Sequence, residues 1–196
     1  MNVVSLTYQS ANYYLISSED GWVMVDTGWP DTFSQLLQSL NQNNISVNEI
    51  NYLVITHYHP GHAGLAQNLK DLGTNLVIHE SQVAYYNRLN VIYKKNPQAH
   101  FRDITATNNI LVDDSGSRSL LKSIGLDGEL ISTPGHSDDS ISLVFDQKCA
   151  FIGDLPLLKA SETEYDLVIE DSWDQLRRFQ VKTIYPGHGA PFVLNT

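Results

Sequence analysis

Tyr52-Leu53-Val54-Ile55-Thr56 runs directly into His57-Tyr58-His59-Pro60-Gly61-His62, and this stretch decides the reading of the chain. Its apolar first half is continuous, as expected of a strand covered on both faces. Its second half holds three of the chain's seven histidines within six residues. Past a strand end, residues two apart converge on one point where the chain bends, and Pro60-Gly61 supplies the bend. His57 and His59 can therefore take one cation while His62 faces a second position. Imidazole nitrogen is a standard zinc ligand, and clustering of this kind at a strand end carries a mechanism that scattered surface histidines do not.

Working outward, residues 3–8, 13–16 and 22–25 are short β-branched or aromatic runs separated by turn residues such as Asp20-Gly21, which predicts an opening antiparallel meander. Asp31 is the expected cap of a helix carrying Phe33, Leu36, Leu37 and Leu40 on one face. A second helix is expected over Ala63 to Leu72, stopped by Gly73, followed by a strand over Asn75 to Ile78. From Glu80 to Gly128 the pattern weakens: a helix is expected near Ser81 to Asn90, with a loop-rich stretch through Asp113-Asp114-Ser115-Gly116, and this variable segment is the expected substrate-selecting wall. Strands return at 129–133, 141–145 and 149–152, the last two a hairpin about Asp146-Gln147-Lys148. A late helix, Trp173 to Phe179, and a strand, Thr183 to Tyr185, follow.

At 196 residues the chain reads as one domain. Hydrophobic residues at 42% and charged residues at 17% describe a globular protein, not a disordered one. A formal net charge of -10 with no basic patch argues against nucleic acid and anionic membrane as partners. The start of the sequence lacks the basic and apolar regions of an export signal, and no stretch approaches a membrane span, so the cytoplasm is the expected compartment and a small molecule the expected substrate. The single cysteine, Cys149, lies in an apolar run and reads as a buried, inert thiol.

Downstream, Thr133-Pro134-Gly135-His136-Ser137, Ile152-Gly153-Asp154 and Tyr185-Pro186-Gly187-His188-Gly189 each put one candidate ligand just past an expected strand. Such loops are where a rigid scaffold presents chemistry. In this order behind the triple-histidine segment, the set resembles the metallo-β-lactamase superfamily, in particular glyoxalase II-like hydrolase domains. The resemblance runs from Asn12 to Ile16, through Val25-Asp26-Thr27-Gly28, to His188. It implies an α/β fold, the αββα sandwich, in which two mixed sheets pack face to face with helices outside and the metal site lies at one edge. It also implies that His57, His59 and His136 hold a first metal, His62 and His188 a second, and that Asp154 bridges them and acts in catalysis with a metal-bound water. Asp26 has no ligand role in that pattern and is expected to support the ligands from behind.

Two departures stand out. The family usually reads His-x-His-x-Asp-His, and here the aspartate position is Gly61, a residue that can also hold a positive φ. The second site keeps His62, His188 and a share of Asp154, which can still take a metal with open positions. One fewer anion between two cations lowers the affinity expected there. The other departure is Asp138-Asp139, where the family commonly has glycine at the second position. A compensating carboxylate and a solvated acidic loop are the alternatives, and exposure is the expected state of aspartate. His79 and His100 fall outside the ligand pattern. The pairs Tyr13-Tyr14 and Tyr85-Tyr86 are open between core and cleft wall.

The implied activity is metal-dependent hydrolysis of an ester, thioester or lactone, with zinc as one or two ions, or iron or manganese in its place. The alternative is a mononuclear iron oxidoreductase of the persulfide dioxygenase type, built on His57, His136 and Asp154, with His59 available beside them. A non-catalytic ligand-binding protein on the same scaffold is the third reading, and Gly61 alone supports it.

Overall fold

The computed structural model describes residues 1–9, 11–157 and 164–194. The expected meander is present as β1 (Val3–Tyr8), β2 (Ala11–Ser18) and β3 (Gly21–Val25), each antiparallel to the next. Then β4 (Ile50–Val54), β5 (Asn75–His79) and β6 (Asn109–Val112) add in parallel, completing a six-stranded sheet in chain order. The second sheet contains β7 (Gly128–Ser132), β8 (Ile141–Phe145), β9 (Cys149–Gly153), β10 (Thr183–Pro186) and β11 (Phe192–Val193), in the order β11-β10-β9-β8-β7. The expected hairpin is β8–β9, where Phe145 pairs with Cys149. The helices are α1 (Phe33–Gln42), α2 (Pro60–Ala63), α3 (Ala66–Lys70), α4 (Arg88–Tyr93), α5 (Asp114–Ser123) and α6 (Glu164–Arg178).

Strand alternation sorts the apolar residues into three layers. Tyr13 and Leu15 of β2 join Leu36 and Leu40 of α1 and Leu69 of α3 on one outer face. Tyr14 and Ile16, their neighbours in sequence, face the other way onto Leu143, Phe145 and Phe151 between the sheets. Val144, Ala150 and Ile152 turn outward again, onto Ile169, Trp173 and Leu176 of α6. The result is the αββα sandwich, with α5 closing one side of the central layer through Leu121. Tyr13 and Tyr14 are both core; Tyr85 and Tyr86 are half-buried and pack against the first layer. Cys149 is buried, and burial pushes its thiol up to about 11.

Several local expectations need correction. Asp31 does not cap α1: it sits at a positive φ and pairs with His100, while Thr32 precedes the helix and turns its hydroxyl onto the Trp29 carbonyl. The helix expected over Ala63 to Leu72 is two short ones that break at Leu65, next to Gly64, which packs against Pro30 and the Gly28 carbonyl, where a Cβ would fall within 2.5 Å. A single 3-10 turn at Glu80–Gln82 and α4 replace the helix expected near Ser81 to Asn90. The loop expected about residues 113–116 is the capped start of α5, with Asp113 accepting from the Gly116 N–H at 2.6 Å. The late helix runs from Glu164, not from Trp173. Among the described residues no helix is long and apolar enough to cross a membrane.

This topology positions the site. β3 and β4 run parallel, and β7, β9 and β10 share one direction in the other sheet, so their carboxyl ends collect at one edge. Backbone bonds tie the two sheets together there: Ile141 N–H donates to the Thr56 carbonyl at 2.9 Å, and Asn12 N–H to the Gly187 carbonyl at 2.8 Å.

Candidate metal centre

Every candidate ligand hangs from one of those strand ends. His57, His59 and His62 follow β4, His136 follows β7, Asp154 follows β9 directly, and His188 follows β10. The His136 loop is set by Gly135, at φ +143 against Ile169, and by the Ser172 hydroxyl of α6, which donates to the Pro134 carbonyl at 2.6 Å.

All six expected residues converge. Asp154 Oδ2 lies 3.3 Å from Nε2 of both His62 and His188, 3.7 Å from His136 Nε2 and 3.8 Å from His57 Nε2. His59 Nδ1 is 3.1 Å from His136 Nε2, close to the roughly 3.3 Å between two nitrogens bound at 2.0–2.1 Å to one tetrahedral cation. Two groups have their ligand atoms all within 4.8 Å of one another: His57 with His59 and His136, and His57 with His62 and Asp154. His57 Nε2 and Asp154 Oδ1 are buried without a hydrogen-bond partner. Buried polar atoms are nearly always satisfied, so a cation is the partner this donor set fits.

The electrostatics agree. Burial and the neighbouring imidazoles hold His57 well below the usual histidine range, and burial followed by His136 lowers His59. His136 is lowered by burial, in part offset by Asp154. These imidazoles stay neutral, the form that binds metal. His62 is the exception: burial opposes its charge, but Asp26 and Asp154 raise it to about 10. Burial would raise Asp154, yet the hydrogen bond and charge of His62 bring it below the usual carboxylate value.

Asp26 acts from behind, as expected. Its Oδ2 takes His62 Nδ1 at 2.9 Å and the Thr56 hydroxyl at 2.7 Å, and its Oδ1 accepts the Thr56 N–H at 2.8 Å. One carboxylate thus fixes both ends of the His57–His62 segment and leaves His62 Nε2 facing the site.

A family profile described as the metallo-beta-lactamase superfamily matches residues 6–188. The chain belongs to that superfamily. A Beta-lactamase-like protein 2 homolog from Caenorhabditis elegans is 28% identical over 93% of this chain and 57% of its own length. An atrochrysone carboxyl ACP thioesterase from Claviceps purpurea is 28% identical over 96% of this chain and 53% of its own. The chain therefore spans little more than half the length of these relatives. Among solved structures, a metallo-beta-lactamase family protein from Thermus thermophilus superposes with a TM-score of 0.76 at 19% identity, covering 97% of this chain and 74% of that one. At that identity the likeness speaks to the fold alone. Superfamily members bind divalent metals, and the histidine and aspartate cluster gives this chain the means to do so.

Where the chain departs from its superfamily, the structure is informative. Gly61 does not need a positive φ: it lies in α2, and the edge of the Trp29 indole lies over it, Nε1 being 3.2 Å from where a Cβ would stand. An indole thus occupies space that the usual aspartate would enter. Asp138 is exposed as expected, but Asp139 is fully buried, which overturns the solvated-loop reading for that residue. Asp139 Oδ2 accepts the Tyr58 N–H at 2.6 Å, between the candidate ligands His57 and His59. Buried Gln82 clamps the same region, its Nε2 donating to the carbonyls of Ile55 at 2.9 Å and Asp139 at 3.0 Å. Asp139 and Gln82 are the functional candidates that sequence reasoning missed or misplaced. The two histidines set aside stay outside the cluster: His79 bridges Ser81 and Asp114, and exposed His100 meets Asp31. Of the 80–128 segment, Gln82 reaches the site through its bonds to the Ile55 and Asp139 carbonyls.

Proposed function

We propose that this chain is a metal-dependent hydrolase of a small ester, thioester or lactone. The observation that carries the reading is the convergence of four imidazoles on Asp154, with His59 joining through His57 and His136, and with His57 Nε2 and Asp154 Oδ1 buried and unpaired. His57, His59 and His136 would hold the principal cation, with zinc the metal best matched to an imidazole set. His62, His188 and Asp154 would serve a second. A cation bound there supplies Lewis acidity, acidifying water and polarising a carbonyl oxygen. The protein's own part is geometry and charge. Asp26 holds His62 in one orientation, and Asp154, its carboxyl lowered by His62, presents Oδ2 to the imidazoles, where it would take a proton from a water. The thioesterase named among the relatives supports an acyl carbonyl as the reacting group.

The test is elemental analysis of the purified protein beside a panel of p-nitrophenyl esters, acyl thioesters and lactones, before and after chelation. Turnover lost with the metal and restored by zinc or manganese is expected. Inertness toward all three carbonyl classes, with oxygen consumption on glutathione persulfide in the iron form only, would replace the hydrolase with the oxidoreductase.

A further inference from the structure

Beside the cluster lies an open groove of about 470 Å³. Its polar lining is His136, Asp154 and His188, which lie together because both imidazoles are within 3.7 Å of Asp154 Oδ2. The groove therefore has one polar end, at the metal ligands. Among the described residues, the rest of its side-chain lining is apolar, including Leu155, Leu157, Ala190 and Phe192, and none is Lys or Arg. A charged group on the substrate chain would meet no basic counter-charge among these described residues. Leu157 leaves 60% of its surface exposed, and an apolar chain lying over it would cover that surface.

The walls are fixed in place. Trp173 Nε1–H donates to the Pro156 carbonyl at 2.8 Å, pinning the segment between Leu155 and Leu157. Asn12 Nδ2 donates to the Gly189 carbonyl at 2.6 Å, and Phe192 lies in β11, paired with Ile184. A site on rigid elements binds without ordering itself first.

From this we infer that the groove receives the acyl chain of an uncharged, apolar carbonyl substrate, with its carbonyl at the His136 and Asp154 end. The inference rests on the hydrolase reading for its chemistry and names the substrate class. It also moves the selecting surface away from the 80–128 segment: the groove is built from residues around β9, β10 and β11, with His136 from the loop after β7.

The test uses binding, so that it stands apart from turnover. Straight-chain hydroxamates from acetohydroxamate to hexanohydroxamate, whose head group chelates metal, are titrated calorimetrically into the zinc-loaded protein. Affinity is expected to rise about fourfold per methylene, the equivalent of burying a CH₂ group at ~0.8 kcal/mol. Leu157→Glu, a change at a largely exposed position, should flatten the rise, and Phe192→Ala should reduce it. Leu111→Glu, on the exposed face of β6, should leave the series as in the wild type. A flat wild-type series, no binding of any hydroxamate, or a slope untouched by Leu157→Glu overturns the groove assignment. A rising series in a protein that hydrolyses none of the acyl panel keeps the groove and removes the hydrolase. Turnover of the panel with a flat series does the reverse.

Discussion

The two halves of the candidate metal centre are built differently. On the side of His57, His59 and His136, two loops from opposite sheets are laced together by buried groups: Asp139 takes the Tyr58 N–H, and Gln82 spans the carbonyls of Ile55 and Asp139. On the side of His62 and His188, Asp26 fixes His62 and Asn12 bonds the Gly187 and Gly189 carbonyls flanking His188, but the His188 side chain is about half-exposed and Gly61 offers no carboxylate beneath the Trp29 indole. The carboxylate missing at position 61 thus has a counterpart at 139, on the other side of the site. With glycine at position 61 and a more exposed histidine, the His62 and His188 position is expected to hold a cation more weakly than the other, an asymmetry that can be measured.

The largest expected effect falls on the well-built side. His136→Ala should lose nearly all the tightly bound metal and nearly all turnover, more than the 10- to 100-fold typical of losing a group behind a ligand. Elemental analysis beside circular dichroism reads this out. A folded His136→Ala protein with full metal content would end the assignment. His79→Ala and His100→Ala, whose rings bond elsewhere, should keep their metal.

Next comes Asp139. Removing it leaves the Tyr58 N–H unpaired and takes an anion from beside two ligand histidines, so Asp139→Ala should weaken the tight site by about 10- to 100-fold. Asp139→Asn keeps an acceptor for Tyr58 and should retain more of the affinity. Chelator competition measures both. Equal affinities in all three proteins would mean that the buried carboxylate serves packing alone, and the contrast between the halves would lose its basis.

What the sequence disclosed, and what it hid, follows the range of the interactions involved. The meander, the β8–β9 hairpin and the six converging residues were legible because each rests on a local pattern: an alternating run, a turn, or a histidine just past a strand. Asp139 was not, since its partner Tyr58 is 81 residues away and Asp138-Asp139 looks locally like a polar turn. Trp29 over Gly61 was hidden for the same reason. The start of α5 was misread because Asp113-Asp114-Ser115-Gly116 suits a turn and a capped helix equally, and only the Asp113 bond to Gly116 separates them. The first half of α6 went unseen because its apolar run does not follow one helical face: Leu167 and Val168 are exposed and only Ile169 between them and Ser172 is buried.

The side of His62 and His188 can be sharpened by titration. Apo-protein should show one tight ion and a second bound far more weakly. Gly61→Asp alone should do little, because its side chain meets the indole. Joined with Trp29→Ala, it should strengthen the second step by about 10- to 100-fold, the scale on which a carboxylate near a metal acts. Two tight ions in the wild type that persist in Asp139→Ala would break the asymmetry outright.

The smallest effect is the most local. Cys149 starts β9, the strand that leads to Asp154, and pairs with Thr183 of β10, the strand that leads to His188. Burial raises its thiol to about 11, and thiolate is the reactive form. At pH 8 the folded protein therefore holds about 100-fold less thiolate at this position than a thiol at its ordinary value of 9.0 would. Labelling by a disulfide reagent should be slow, should quicken as pH rises toward 11, and should become fast once the strands open. A ligand that binds only the folded state suppresses opening by the factor 1 + [L]/Kd. The first equivalent of metal should therefore slow labelling through global opening by about that factor, while metal added beyond it changes the rate by less than about twofold at concentrations below the second Kd. A second equivalent that protects Cys149 as strongly as the first would show that the β9–β10 side holds its cation as firmly as the other, and the two halves would have to be regarded as equals.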